Sequence, residues 1–289
     1  MFLSFSTSTA SSTGQNETPA AFAASKMRNI LTKNKLAIIP KTLAVGKQRL
    51  ILQVGRARHH SWEPREIWAI DRTSGKAAHI VLPVSVDEYT DLIYRFDKSG
   101  TQLALQINRK GDVFEGSDDD QVLIGFVDLP ANKYSPVLTL RTGTSFPLGD
   151  EPRFLWIGSQ VIFFPWVDIT PTGNRNRIWV LSRQRPFATR VYDGDASIAG
   201  SFGNAYISPD GFHVVMAQFG VYTGDFWVNP MQNSGLVLVD VKKMSYHNLT
   251  AGSTPRHPDV FVSWLNNRSI EYKHWGAAGS YGTIRMNIP

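Results

Sequence analysis

Residues 204–219, NAYISPDGFHVVMAQF, and 235–250, GLVLVDVKKMSYHNLT, decide how this chain is read. Each stretch holds two apolar, β-branched runs around a tight turn, Ser208-Pro209-Asp210-Gly211 in the first and residues 241–244 in the second. Pro209 pre-sets φ, Asp210 offers its carboxylate to nearby backbone N–H groups, and Gly211 takes a positive φ at no steric cost. Two hairpins in succession make one four-stranded antiparallel unit, strands a to d.

Working outward, the same order recurs. Residues 42–45, 49–54, 65–70 and 77–82 predict a first unit, and 91–96, 101–107, 121–127 and 136–140 a second. Residues 153–157, 160–166, 177–182 and 188–192 predict a third, ahead of the unit quoted above. A fifth has only three strands, 259–264, 269–274 and 282–288. Repetition of a unit that cannot bury its apolar faces alone, with four strands each, points to blades stacked around an axis. A three-stranded last blade leaves an open edge of unpaired N–H and C=O groups. Residues 35–40, KLAIIP, belong to no unit and read as a strand, so they are expected to pair outside 282–288 and join the two ends of the chain. The expected fold is all-β, a five-bladed β-propeller closed by its N-terminal strand, with a truncated six-bladed or larger propeller as the alternative.

The unit ISPDGFHVVMAQ followed by GLVLVDVKKMSYHNLT resembles the repeat of TolB-like propellers, relatives of the WD-repeat class. In that family a Ser-Pro-Asp-Gly turn precedes strand b and an Asp often ends strand c. The second unit is similar in degenerate form, with FDKSG at 96–100 and Asp128, and the first keeps Asp71. The third and fifth depart from the pattern, with Gly158-Ser159 and Asn266-Asn267 at the turn. The resemblance covers residue 42 onward and implies a fold, not an activity, because the family holds scaffold proteins, binding modules and accessory domains of peptidases.

At 289 residues, 42% hydrophobic and 11% aromatic, the chain has material for a large core. It has no apolar run near the roughly 18 residues that a membrane-spanning helix needs. The absence of cysteine excludes disulfides, thiolate nucleophiles and cysteine-ligated metals. No compartment is assigned, a periplasmic or extracellular one being favoured over the cytoplasm. The first 25 residues are rich in Ser, Thr and Ala and lack both helical and strand period, so 1–33 are expected to be a disordered leader before a single propeller domain at 34–289.

The net charge of +6 is unevenly placed, with twelve Lys and Arg against three acids between Lys26 and Lys76. An anionic partner would therefore meet the first blade and its lead-in. Nucleic acid is not the expected partner, since basic and aromatic residues do not interleave.

Strand alternation brings the b–c connections, predicted at 56–64, 108–120, 167–176, 220–234 and 275–281, to one end together with the d–a connections. Long loops on a rigid scaffold carry recognition, and these hold Trp62, Tyr222, Trp227 and Trp275, the candidate anchors for a protein or polysaccharide ligand. Acids in the d–a connections, among them Asp91, Glu151, Asp193, Asp195 and Asp259, would ring the axial mouth. Asp91, Glu151 and Asp259 are the candidate pair-forming carboxylates for a glycan hydrolase. The acidic stretch 112–120 matches no calcium loop. His59, His60 and Glu63 lack a zinc spacing, because adjacent side chains on an extended chain point apart. The expectation is a non-enzymatic binding propeller without cofactor or metal. The alternatives are a glycan-active hydrolase using those carboxylates, or the propeller part of a peptidase-type multidomain protein.

Overall fold

A computed structural model of the chain describes residues 18–39, 42–58, 61–83, 89–109, 120–142, 154–165, 168–170, 173–184, 187–195, 202–218, 235–250 and 259–289. The first element is a helix, α1 (Pro19–Asn34). The Thr18 side chain accepts from the Ala21 N–H, Pro19 stands where its missing N–H costs nothing, and Lys35 ends the helix in a left-handed conformation. Ala23 and Met27, one turn apart, are buried against Leu50, Leu52, Val54 and Ile70 of the first sheet. This corrects the expectation of a disordered leader for residues 19–33. The apolar stripe Phe22, Ala23, Met27, Ile30 and Leu31 straddles Ser25, so a boundary drawn there hides its period.

The strands form five antiparallel sheets in chain order. The first holds β1 (Ala37–Ile38), β2 (Ala44–Val45), β3 (Arg49–Arg58), β4 (Ser61–Asp71) and β5 (Ala77–His79). β6 (Tyr89–Phe96), β7 (Leu103–Arg109), β8 (Asp120–Asp128) and β9 (Lys133–Thr142) form the second. The third holds β10 (Phe154–Ile157), β11 (Gln160–Phe163), β12 (Asp168–Thr170), β13 (Gly173–Ser182) and β14 (Ala188–Asp195). The fourth is β15 (Phe202–Ile207), β16 (His213–Gln218), β17 (Leu236–Asp240) and β18 (Ser245–Asn248), and the last is β19 (Val260–Asn266), β20 (Ser269–Trp275) and β21 (Tyr281–Asn287). Successive sheets share cores. Ile51 and Ile67 pack with Leu105 and Leu123, Phe126 with Phe163, Ile178 with Val214, and Leu238 with Ile270. Burial on both faces explains why β17, LVLVD, is apolar without alternation. The arrangement is an all-β, propeller-like one.

The expected closure is not what the structure holds. β1 pairs with β3, Ala37 opposite Gly55 and Ile38 opposite Val54, on the edge where β2 pairs further along. β1 and β2 together are the interrupted innermost strand of the first sheet, joined by the Ile39 N–H donating to the Gln53 carbonyl. A partner fewer than twenty residues away costs much less loop entropy than one at the far end of the chain. Among the described residues, no strand pairing joins the first and last sheets, and β21 pairs only with β20. The outward face of the first sheet lies under α1. In the last sheet Val260, Val262 and Leu265 are each 44% exposed.

The turns repeat more faithfully than the sequence does. Asp71, Ser182, Asp240 and Asn287 each stand opposite the first residue of strand b, and Asp128 occupies the matching place in the second sheet. Asp71 accepts from Thr73 and Ser74, Asp128 from Ala131, Ser182 from Gln184 and Asp240 from Lys243, all backbone N–H groups. These residues cap the c–d turn. At the a–b turn the roles trade places. Ser208 Oγ accepts from His213 N–H and Asp210 from Phe212 N–H, whereas Asp97 accepts from both Thr101 and Gln102.

Neighbouring sheets align these turns at one end. The Lys47 N–H donates to the Gly100 carbonyl between the first two sheets, and Arg183 lies 3.8 Å from Asp128 between the second and third. Ile157 and Val241 share a core between the third and fourth, and Trp264 Nε1 donates to the Tyr206 carbonyl between the fourth and fifth. The b–c and d–a connections leave the sheets at the opposite, loop end.

Candidate functional site

At the loop end, two of the five expected loops are largely ladder. β3 and β4 pair on to Arg58 opposite Ser61, so Trp62 sits on a strand opposite Ala57. Pro64, which cannot donate to a ladder, falls beside the bulge at Val54 and Gly55, where the pairing is already broken. In the third sheet, β12 continues the line of β11 along β13, with Thr170 opposite Gly173, which turns the expected 167–176 loop into a hairpin.

The last sheet carries the best-defined group. The β20–β21 hairpin turns at residues 276–280, with the Gly276 N–H donating to the Ser280 carbonyl. Trp275 and Tyr281, directly opposite in the ladder, meet edge to face with ring centroids 5.0 Å apart at 78°. Such a pair holds two large rings in one orientation at the mouth of the hairpin. Beside it, Asp259 enters β19 with its side chain 1% exposed, and its Oδ1 stands 2.8 Å from His274 Nδ1. His274 is about one third exposed, so the pair runs from the interior of the sheet to its end. Burial and the Asp259 charge together push the Tyr272 phenol above its ordinary range.

Of the carboxylates expected around the mouth, Asp193 lies on β14, held by Arg175 at 2.8 Å, Arg177 at 3.3 Å and Arg190 at 2.7 Å. Burial alone would raise its carboxyl, but the guanidinium groups of Arg175, Arg177 and Arg190 outweigh that and hold it below its ordinary value. Asp91 lies on β6 opposite Asn108. Glu151, Tyr222 and Trp227, the histidines His59 and His60, and the acidic stretch 112–119 lie outside the described residues. Of the expected site residues, Asp259 and Trp275 both lie in the last sheet, Asp259 against His274 and Trp275 against Tyr281. Among the described residues, no three His, Asp or Glu side chains gather as a metal site.

Sequence reasoning missed His274 and the arginines around Asp193. The signal available was register: His274 lies one residue before Trp275 on a predicted strand b, which fixes it at the loop end near the start of strand a. Gln106 and Asn108 were missed too. Both are buried on β7, with Gln106 Nε2 donating to Asn108 Oδ1 at 2.9 Å.

No family model matches the chain, and no curated protein matches it. Among solved structures it is similar to a chain from a study of two prolyl endopeptidases, at 15% identity and a TM-score of 0.46, covering 93% of this chain and 37% of that one. It is also similar to Kuenenia stuttgartiensis hydrazine synthase, at 11% identity and 0.38, covering 81% and 61%. A third similarity is to Pyrococcus horikoshii acylaminoacyl peptidase, at 9% and 0.39, covering 89% and 45%. The chain spans less than two thirds of each of those proteins, and likeness at this depth carries none of their chemistry to it.

Proposed function

We propose that the chain is a non-enzymatic binding domain, a five-bladed propeller of TolB-like character that takes a protein or glycan ligand at its loop end. The observation that supports the reading is the edge-to-face pair of Trp275 and Tyr281 at the mouth of the last hairpin. Tyr281 is 40% exposed, and aromatic rings fixed in place offer a ligand large contact area at small entropic cost. Trp62, Tyr222 and Trp227 are the further anchors in this proposal. In this reading Asp259, engaged with His274 and turned away from solvent, supports the sheet end and does not meet the ligand itself.

The test is a glycan and protein array probed with the purified chain. Trp275→Ala is expected to weaken the captured ligand about thirtyfold, as loss of a central aromatic anchor does. Cleavage of an oligosaccharide that stops in Asp91→Asn or Glu151→Gln would overturn the binding reading in favour of a hydrolase.

A further inference from the structure

The turn end has a charge pattern that the loop-end proposal does not use. Its carboxylates are drawn into the turns they cap. Asp97 and Asp240 are buried, and Asp71 and Asp210 spend oxygens on backbone N–H groups. Asp128, the most open of them, faces Arg183. The cations of the same turns stay exposed, even where Lys243 Nζ lies 3.4 Å from Asp240 and Arg72 donates to the Gly46 and Lys47 carbonyls. In the first sheet Lys47, Arg72 and Lys76 are exposed, and the Lys26 side chain of α1 reaches across to the Gly75 turn. Lys98 and Lys133 are exposed in the second sheet, Lys242 and Lys243 in the fourth, and Arg268 in the fifth. One end of the molecule therefore shows positive charge from its first sheet to its last, beyond the basic segment legible in the sequence.

Two phenylalanines stand among these cations. Phe212 follows the Asp210-Gly211 turn and is 48% exposed, and Phe187 stands just before β14 and is 56% exposed. The Lys242 Nζ lies 5.6 Å from the Phe212 ring centroid. A bare ring at a turn tip, with a lysine beside it, is what a surface needs to enter the headgroup layer of a bilayer while its charges meet anionic lipids. A strand of nucleic acid asks for something else, a groove with rings placed to stack successive bases.

We propose that the turn end docks on an anionic lipid bilayer, with Phe187 and Phe212 entering the headgroup region and the lysines of successive turns meeting lipid phosphates and carboxylates. This is peripheral binding, distinct from ligand binding at the loop end. No helix among the described residues is long and apolar enough to cross a membrane.

The experiment is co-sedimentation of the full chain with vesicles of phosphatidylcholine alone and of phosphatidylcholine with about one third phosphatidylserine. Binding to the mixed vesicles only, weakened as salt shortens the screening length, is the expected result. Lys242→Glu with Lys243→Glu is expected to lower it about tenfold. Lys98→Glu with Lys133→Glu, on another sheet, should act in the same direction. Phe187→Ser with Phe212→Ser should weaken vesicle binding and leave capture of a single-stranded oligonucleotide or heparin unchanged. Far-UV circular dichroism shows that each variant is folded. Equal binding to neutral vesicles, no binding to either kind, or polyanion capture with vesicle binding indifferent to the phenylalanines would overturn the proposal. Trp275→Ala leaves vesicle binding intact, which separates this surface from the loop end.

Discussion

Asp259 and His274, fifteen residues apart, meet through Oδ1 and Nδ1 at 2.8 Å where strands β19 and β20 reach the loop end of the last sheet. The contact joins the entry into the innermost strand to the exit from its neighbour. It also lies one residue from Trp275 along β20.

Truncating Asp259 to alanine removes a buried acceptor and leaves the imidazole without this partner. The expected cost is about 2 kcal/mol, the size typical of removing one partner of a buried hydrogen bond, read from urea unfolding. His274→Ala should cost less, because its side chain is 36% exposed. A loss below about half a kcal/mol for Asp259→Ala would show that the pair does not hold the sheet end together.

Met27 is fully buried between α1 and the first sheet. Met27→Ala is expected to destabilise by about 3 kcal/mol, within the range for deleting a buried methionine side chain. Removing residues 1–34 should bare Leu50, Leu52 and Ile70 and raise binding of a hydrophobic dye. If dye binding and thermal stability stay unchanged, the helix is not part of the core.

Asp97 gives a pH dependence with a definite sign. Burial pushes its carboxyl up, but the Ser99 hydroxyl and the N–H groups of Gln102 and Thr101 outweigh it, so the folded value lies below the ordinary 3.8. A group depressed on folding adds stability that is complete above its unfolded pKa and is lost as pH falls through the folded one. Asp71 and Asp210 shift in the same direction. The melting temperature is therefore expected to hold from neutral pH to about 5 and to drop below about 4. Asp97→Asn should flatten that drop at a cost near neutrality of about 2 kcal/mol.

Gly125 marks a close approach. A Cβ there would come within 2.1 Å of the Ser135 carbonyl oxygen and 2.7 Å of Pro136 Cα, both backbone atoms, at the bulge between β8 and β9. Backbone cannot swing aside as a side chain tip does, so Gly125→Ala is expected to lose about 2 to 3 kcal/mol. Thermal melting checks it. Adding the same methyl at Gly276, whose nearest neighbour is 3.8 Å away, should be far milder.

Much of the strand layout was legible in the chain. The ISPDG and FDKSG turns sit where expected because a turn needs only its own few residues to specify φ and supply a cap. Asp71, Asp128 and Asp240 were recognisable as strand ends, while Ser182 caps its turn under a different letter. Trp275 was legible as a loop-end aromatic. Its edge-to-face contact with Tyr281 was not, since it depends on the register across the hairpin. Asp259 was expected as an open carboxylate, and the residue that engages it, His274, lies on a neighbouring strand that spacing alone does not single out.

By itself, then, the sequence determined the local alternation and the turn chemistry, both of which arise from contacts between residues close along the chain. Tertiary structure alone decided two things: that residues 37–38 join the first sheet, and that α1 covers that sheet's outer face. Each is a competition among distant surfaces for the same apolar face or the same unpaired backbone edge, and burial and chain entropy settle it only when all the competitors are present together.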